Sequence, residues 1–145
     1  MAFQFSLDTV LRVRGIVEER EERLLQKILF ETAQAVEGLA GIDAEIAKTD
    51  VSRHAEIFLP LIGHNLHASY ADLKSLKQQR RELAGKIEKL EQLRDRQFIV
   101  YAEARRNREM LTDMFEEKRG LYEGLLARSE QKTLDDNYIA RRGRM

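Results

Sequence analysis

Three imidazoles are the first candidates for chemistry in this chain. His54, His64 and His67 gather around its single proline, Pro60, and the last two lie three residues apart. Three histidines at one loop could bind zinc through neutral ring nitrogens. The simpler reading, loop side chains exposed to water, is preferred. There are no cysteines, which excludes disulfides and thiolate metal sites. Nor is there a phosphate-cradling glycine loop, a nucleophile motif, or paired histidines on one helix face with a glutamate base. The expectation is a chain that is not an enzyme, with no catalytic residue, metal or cofactor.

Charge is the second possible source of chemistry. Lysine plus arginine equals aspartate plus glutamate at 25 each, so the whole chain carries no bias toward nucleic acid or a membrane surface. The local balance differs. Residues 16–50 hold nine acids and four bases, whereas residues 74–108 hold eleven bases and five acids. Oppositely biased segments of one chain favour pairing with each other. Nucleic-acid or membrane-surface binding by the basic segment ranks last among functions, because no aromatic platform is interleaved with its cations. The run Glu18–Glu22 reads mainly as a solvated helix face.

The element that must position these charges lies between Leu73 and Leu125. Alternating steps of three and four visit Leu73, Leu76, Arg80, Leu83, Ile87, Leu90, Arg94, Gln97, Tyr101, Ala104, Arg108, Leu111, Phe115, Lys118, Tyr122 and Leu125, and eleven of these sixteen are apolar. Unbroken three-four spacing marks the seam of a helix packed along another in a left-handed supercoil. One column of the seam is mostly leucine, and the other places arginine at 80, 94 and 108. A parallel homodimer in register would stack arginine on arginine. The reading therefore needs a different partner helix, with either snorkelling arginines or facing acids.

The same chain supplies that helix. Leu25, Ile28, Thr32, Ala35, Leu39, Ile42, Ile46 and Thr49 repeat the spacing. Upstream, Val10, Val13 and Val17 suggest an apolar face that shifts phase at Leu24–Leu25. Ser6 is a candidate cap, Asp8 complements the first turn, and Phe5 with Val10 is spaced like a hydrophobic staple. Gly38 and Gly41, with Ala35 and Ala40, leave a thin patch for close approach. Pro60 and Gly63 supply the break, and Asn65 or Ser69 could cap the helix beyond it.

The expected fold is all-α: a single-domain, two-helix antiparallel coiled-coil hairpin spanning 1–145. The first helix covers about 7–57, the connection 58–64, the second helix about 66–139, and 140–145 form a disordered tail. Charged residues at 34%, with one proline and no tryptophan, suit long solvated helices. If the hairpin turns between Ile62 and Gly63, Ile42 meets Leu83, Leu39 meets Ile87, Ala35 meets Leu90 and Leu25 meets Tyr101. Glu45, Glu31 and Glu18 then fall beside Arg80, Arg94 and Arg108. Residue 7 faces about 118, which leaves 119–139 unpartnered with Leu121, Tyr122, Leu125, Leu126, Leu134, Tyr138 and Ile139 uncovered. Gly120 and Gly124 at its base could let it bend. No run is long enough to span a membrane, and the start lacks the basic-then-apolar layout of a secretory signal, so the reading is cytoplasmic.

The two ends carry a resemblance. The opening Phe3-Gln-Phe-Ser-Leu-Asp-Thr-Val-Leu-Arg-Val-Arg14, the break before the second helix, and the close Glu130-Gln-Lys-Thr-Leu-Asp-Asp136 followed by Arg141-Arg142 resemble the FliJ family of flagellar export proteins. Asp136 stands where that family more usually has glutamate. The resemblance implies a non-enzymatic stalk component of the flagellar type III protein export apparatus, cytoplasmic and peripheral to the inner membrane. Its implied partners are a hexameric ring ATPase, the cytoplasmic part of an export-gate membrane protein, and export chaperones. The implied ATPase contact falls on Leu7, Leu11, Arg12, Arg14, Leu134, Asp135, Tyr138, Arg141 and Arg142. The implied gate contact falls on Tyr70, Leu73, Lys77 and Arg80. The alternatives are a passive coiled-coil scaffold and an injectisome stalk of the same shape; an asymmetric monomer favours a stalk, a long symmetric dimer a scaffold.

Overall fold

The structure, a computed structural model, describes residues 2–58 and 63–144, and of these the side chains outside 56–58 and 63–69. It holds two helices, α1 (Asp8–Phe58) and α2 (Gly63–Gly143), and no strand among the described residues. The fold is all-α, as the three-four spacing requires. The chain divides into two compact units, one formed by Glu21–Val100 and the other by Met1–Arg20 with Tyr101–Met145.

Within the first unit α1 and α2 run antiparallel, because falling numbers on one helix meet rising numbers on the other. The Arg53 guanidinium lies 5.4 Å from the Tyr70 ring, Arg80 pairs with Asp43 at 2.5 Å, and Gln97 meets Glu21. Leu25, Ala35, Leu73 and Leu90 form the buried core, with Thr32 and Gln97 as its buried polar members. Thr32 donates its hydroxyl to the Ile28 carbonyl at 2.8 Å. The Gln97 amide donates both to the Glu21 carbonyl at 3.1 Å and to the Glu21 carboxylate at 2.6 Å. A polar seam residue is tolerated there because both bonds satisfy it inside the helix pair.

The second unit has a different centre. Phe5 is buried, and its ring lies 5.4 Å from Phe115, while Phe3 lies 5.5 Å from both Phe115 and Tyr122. The nonhelical start of the chain thus folds across α2 as an aromatic clasp. Two of its contacts are edge-on, the arrangement favoured by ring quadrupoles. Phe5, expected to staple onto Val10, packs on Phe115 of α2, and Val10 is 41% exposed. Helix α1 opens instead with the Asp8 N–H donating to the Phe5 carbonyl at 3.1 Å. Substituting Phe3→Ala strips the cover from Tyr122 and is expected to cost about 1–2 kcal/mol. Chemical denaturation of the full chain checks this, and an unchanged midpoint would show that the clasp contributes nothing.

Most seam positions stand where the spacing puts them. Of the sixteen on α2, all but Arg80, Lys118 and Leu125 are buried or half-buried, as are all eight named on α1. The phase shift expected at Leu24–Leu25 is absent. Upstream the half-buried positions include Glu21, Glu18, Val17 and Leu11, whereas Val10 and Val13 face water. Val10 and Val13 misled because the stripe there carries glutamates satisfied by polar partners on α2.

The register differs within Glu21–Val100. Leu83 packs by Gly38, where a Cβ would stand 3.4 Å from its Cδ2, at the patch that the small residues leave for close approach. Arg80 reaches Asp43 and not Glu45, and Arg94 turns to its neighbour Asp95 at 3.2 Å and not to Glu31. Among the expected cross-helix pairs with these arginines, Glu18–Arg108 forms. Helix α2 begins at Gly63, so Asn65 and Ser69 lie within it and not before it, and residues 59–62 of the expected connection lie outside the described residues. At the other end α2 continues through Gly143, where a tail beyond 139 was expected. No breaker intervenes, and Arg141 and Arg142 in the last turn complement the helix dipole.

Candidate functional site

Beyond Tyr122 every described residue of α2 is exposed. Leu125, Leu134, Tyr138 and Ile139 are each about two-thirds exposed, and Leu126 nearly half. Leu121 is exposed as expected, whereas Phe3 covers Tyr122, so the stretch without any cover begins at residue 123. Gly120 and Gly124 produce no interruption, and α2 is continuous through both. The helix is supported locally. Gln131 donates to Asp135 at 3.1 Å, Thr133 donates to the Ser129 carbonyl at 3.0 Å, and Arg119 pairs with Glu116 and Glu123. Such exposed pairs contribute a few tenths of a kcal/mol each, roughly.

The residues expected to meet a ring ATPase fall into two groups. Leu7 and Leu11 are half-buried, Arg14 is exposed, and Arg12 reaches Asp8 at 3.6 Å along its own helix. Leu134, Asp135, Tyr138, Arg141 and Arg142 all stand in water on the uncovered end. Leu134 lies twelve residues beyond Tyr122, or on the order of 18 Å along a helix. The two groups belong to one unit without forming one contiguous surface.

Of the residues expected to meet an export gate, Tyr70 is 52% exposed beside Arg53, and Lys77 is exposed. Arg80 is exposed but paired with Asp43. Leu73 is 4% exposed, so its side chain serves the helix packing and has no surface left for a partner. Among the three histidines His54 is exposed, and the side chains of His64 and His67 lie outside the described residues. No metal-ligating cluster occurs among the described residues.

The strongest electrostatic feature is the Glu18–Arg108 pair. Arg108 Nε and one terminal nitrogen approach the two Glu18 carboxylate oxygens at 2.5 and 3.1 Å, a two-pronged geometry. Glu18 is 14% exposed and Arg108 30%. The Arg108 hydrogen bond holds the Glu18 carboxyl below its ordinary value against opposing burial, and the charges of Arg108 and Arg105 add to the lowering. The same bond raises Arg108. Residue spacing pointed to this pair; it did not point to Gln97–Glu21 or the aromatic clasp. The clasp's one sequence signal was the alternation of Phe3 and Phe5 before the helix.

No helix among the described residues is long and apolar enough to cross a membrane. Comparison with known proteins finds no matching family model, curated protein or solved structure.

Proposed function

We propose that this chain is a non-enzymatic stalk component of a flagellar type III export apparatus. Its uncovered helix end enters a hexameric ring ATPase, and the exposed side chains Tyr70, Lys77 and Arg80 address an export-gate protein. The chain works at the cytoplasmic face of the inner membrane and also hands on export chaperones. The observation that carries this reading is the end of α2, where residues 123–144 are exposed while retaining Leu125, Leu126, Leu134, Tyr138 and Ile139. Exposed apolar groups concentrated on one unpartnered helix are expected where another protein covers them. A narrow ring channel suits one protruding helix, and the resemblance of both chain ends to the FliJ family supplies the identity of the ring. Arg141 and Arg142 would meet acidic groups at its mouth, a contribution to encounter and register that weakens with salt.

Adding the purified chain to a purified hexamer-forming export ATPase is expected to raise its hydrolysis rate, and the two should co-sediment. Co-sedimentation without any change in rate would leave a passive scaffold as the better account. Absence of binding at low salt would remove the stalk reading altogether.

A further inference from the structure

Flanking the seam of Glu21–Val100 is a groove that the stalk reading does not use. Leu24, Leu93 and Val100 line it at 45%, 47% and 44% exposure, with Ile28 half-buried and Gln97 at its base. A two-stranded coiled coil normally carries charged side chains at the positions flanking its seam. Apolar flanks are expected where a further helix packs.

The charges bordering the groove indicate what kind of helix fits. Lys27, Glu31 and Arg96 stand at its rim, and none of them is engaged in an ion pair or side-chain hydrogen bond among the described residues. On the other flank, by contrast, Leu25, Leu29 and Phe98 are bordered by Arg94 and Asp95, which already satisfy each other at 3.2 Å. The first groove thus offers an apolar floor with two unpaired cations to one unpaired anion. We propose that it seats an amphipathic helix of a partner protein, apolar on one face and acidic along its edges. A second copy of this chain is the poorer occupant, because it would present the same cation-rich rim to itself. The inference stands apart from the stalk reading and from the uncovered end of α2.

The test uses the full chain and two synthetic helical peptides of about three heptads. Both carry leucine in a three-four stripe; one has glutamate along its edges and the other lysine. The glutamate-edged peptide should shift the backbone amide resonances of residues 24–31 and 93–100 and bind about fivefold more tightly than its counterpart. The double variant Lys27→Glu with Arg96→Glu should reverse that preference. Both positions are exposed, so its helical signal should match the native chain. Equal binding of the two peptides would overturn the proposal, as would shifts centred on 125–139. So would concentration-dependent self-association that Leu93→Asp abolishes, which would give the groove to a second copy.

Discussion

Deletion of residues 128–145 is expected to leave the rest of the chain helical and cooperatively folded while stimulation of the ring ATPase falls to background. The structural half of this expectation rests on burial. No described side chain beyond Tyr122 is covered, so the deleted segment contributes no core, and the loss should stay within about 0.5 kcal/mol. The functional half rests on the proposed stalk role, since Leu134, Tyr138 and Ile139 leave with the segment. Gate binding should survive, because Tyr70 and Lys77 belong to Glu21–Val100. Circular dichroism with thermal melting tests the first half, and ATPase assays with the truncated and full chains test the second. Normal stimulation by the truncated chain would place the contact elsewhere. Collapse of the melting transition would make the uncovered end structural.

The second large effect is expected at Glu18–Arg108. Replacing Arg108→Glu sets two carboxylates together in a partly covered site and should cost about 2–4 kcal/mol at neutral pH. Adding Glu18→Arg should restore most of it, and the double-mutant cycle isolates the coupling. Arg94→Glu should cost far less, because Arg94 meets only its exposed neighbour Asp95. The pair also sets a pH dependence. The folded-state pKa of Glu18 is depressed, so the unfolded chain takes up the proton more readily. Its stabilising contribution is therefore complete above the ordinary glutamate value near about 4.3 and is lost as pH falls through the lower folded value. The stability difference between the native chain and Glu18→Gln should hold from neutral pH down to about 4.5 and close below it. A difference that stays constant through the acid range would show that the ion pair is not its source.

Legibility from sequence followed the strength of the repeat. Leucine and isoleucine at alternating threes and fours left one answer for α2 and for α1 from Leu25 onward, because only one helix face can carry that spacing inward. Upstream the repeat is carried by Glu21, Glu18 and Leu11, and hydrophobicity alone pointed to Val10, Val13 and Val17, of which Val17 is half-buried and the other two are exposed. What decides that stretch is satisfaction of polar groups by Gln97 and Arg108, which lie 76 and 90 residues from their partners. The register was legible to about one turn. Its remainder depended on which acid each arginine reaches, Asp43 for Arg80 and Asp95 for Arg94, a choice of side-chain geometry that a residue-type pattern does not encode. The uncovered end was legible because it follows from unequal helix lengths, and its start moved only because two phenylalanines before α1 reach across to α2.

The exposed end of α2 has an ordering consequence of its own. A free peptide of its length would be marginally helical in water, because the first turn must be nucleated at unfavourable cost. Here the nucleus is permanent, since residues up to Tyr122 are held by packing and each further residue only extends an existing helix. Nothing but local propensity and neighbouring side chains opposes fraying from Gly143 inward. Amide hydrogen exchange should therefore grow faster residue by residue toward Gly143, a gradient with no step in it. A partner meeting this end finds backbone already in place and loses less conformational freedom on docking than it would with a disordered peptide. In the proposed stalk role, the same gradient would let the helix engage over a variable length, shedding or adding turns to match the depth of the ring.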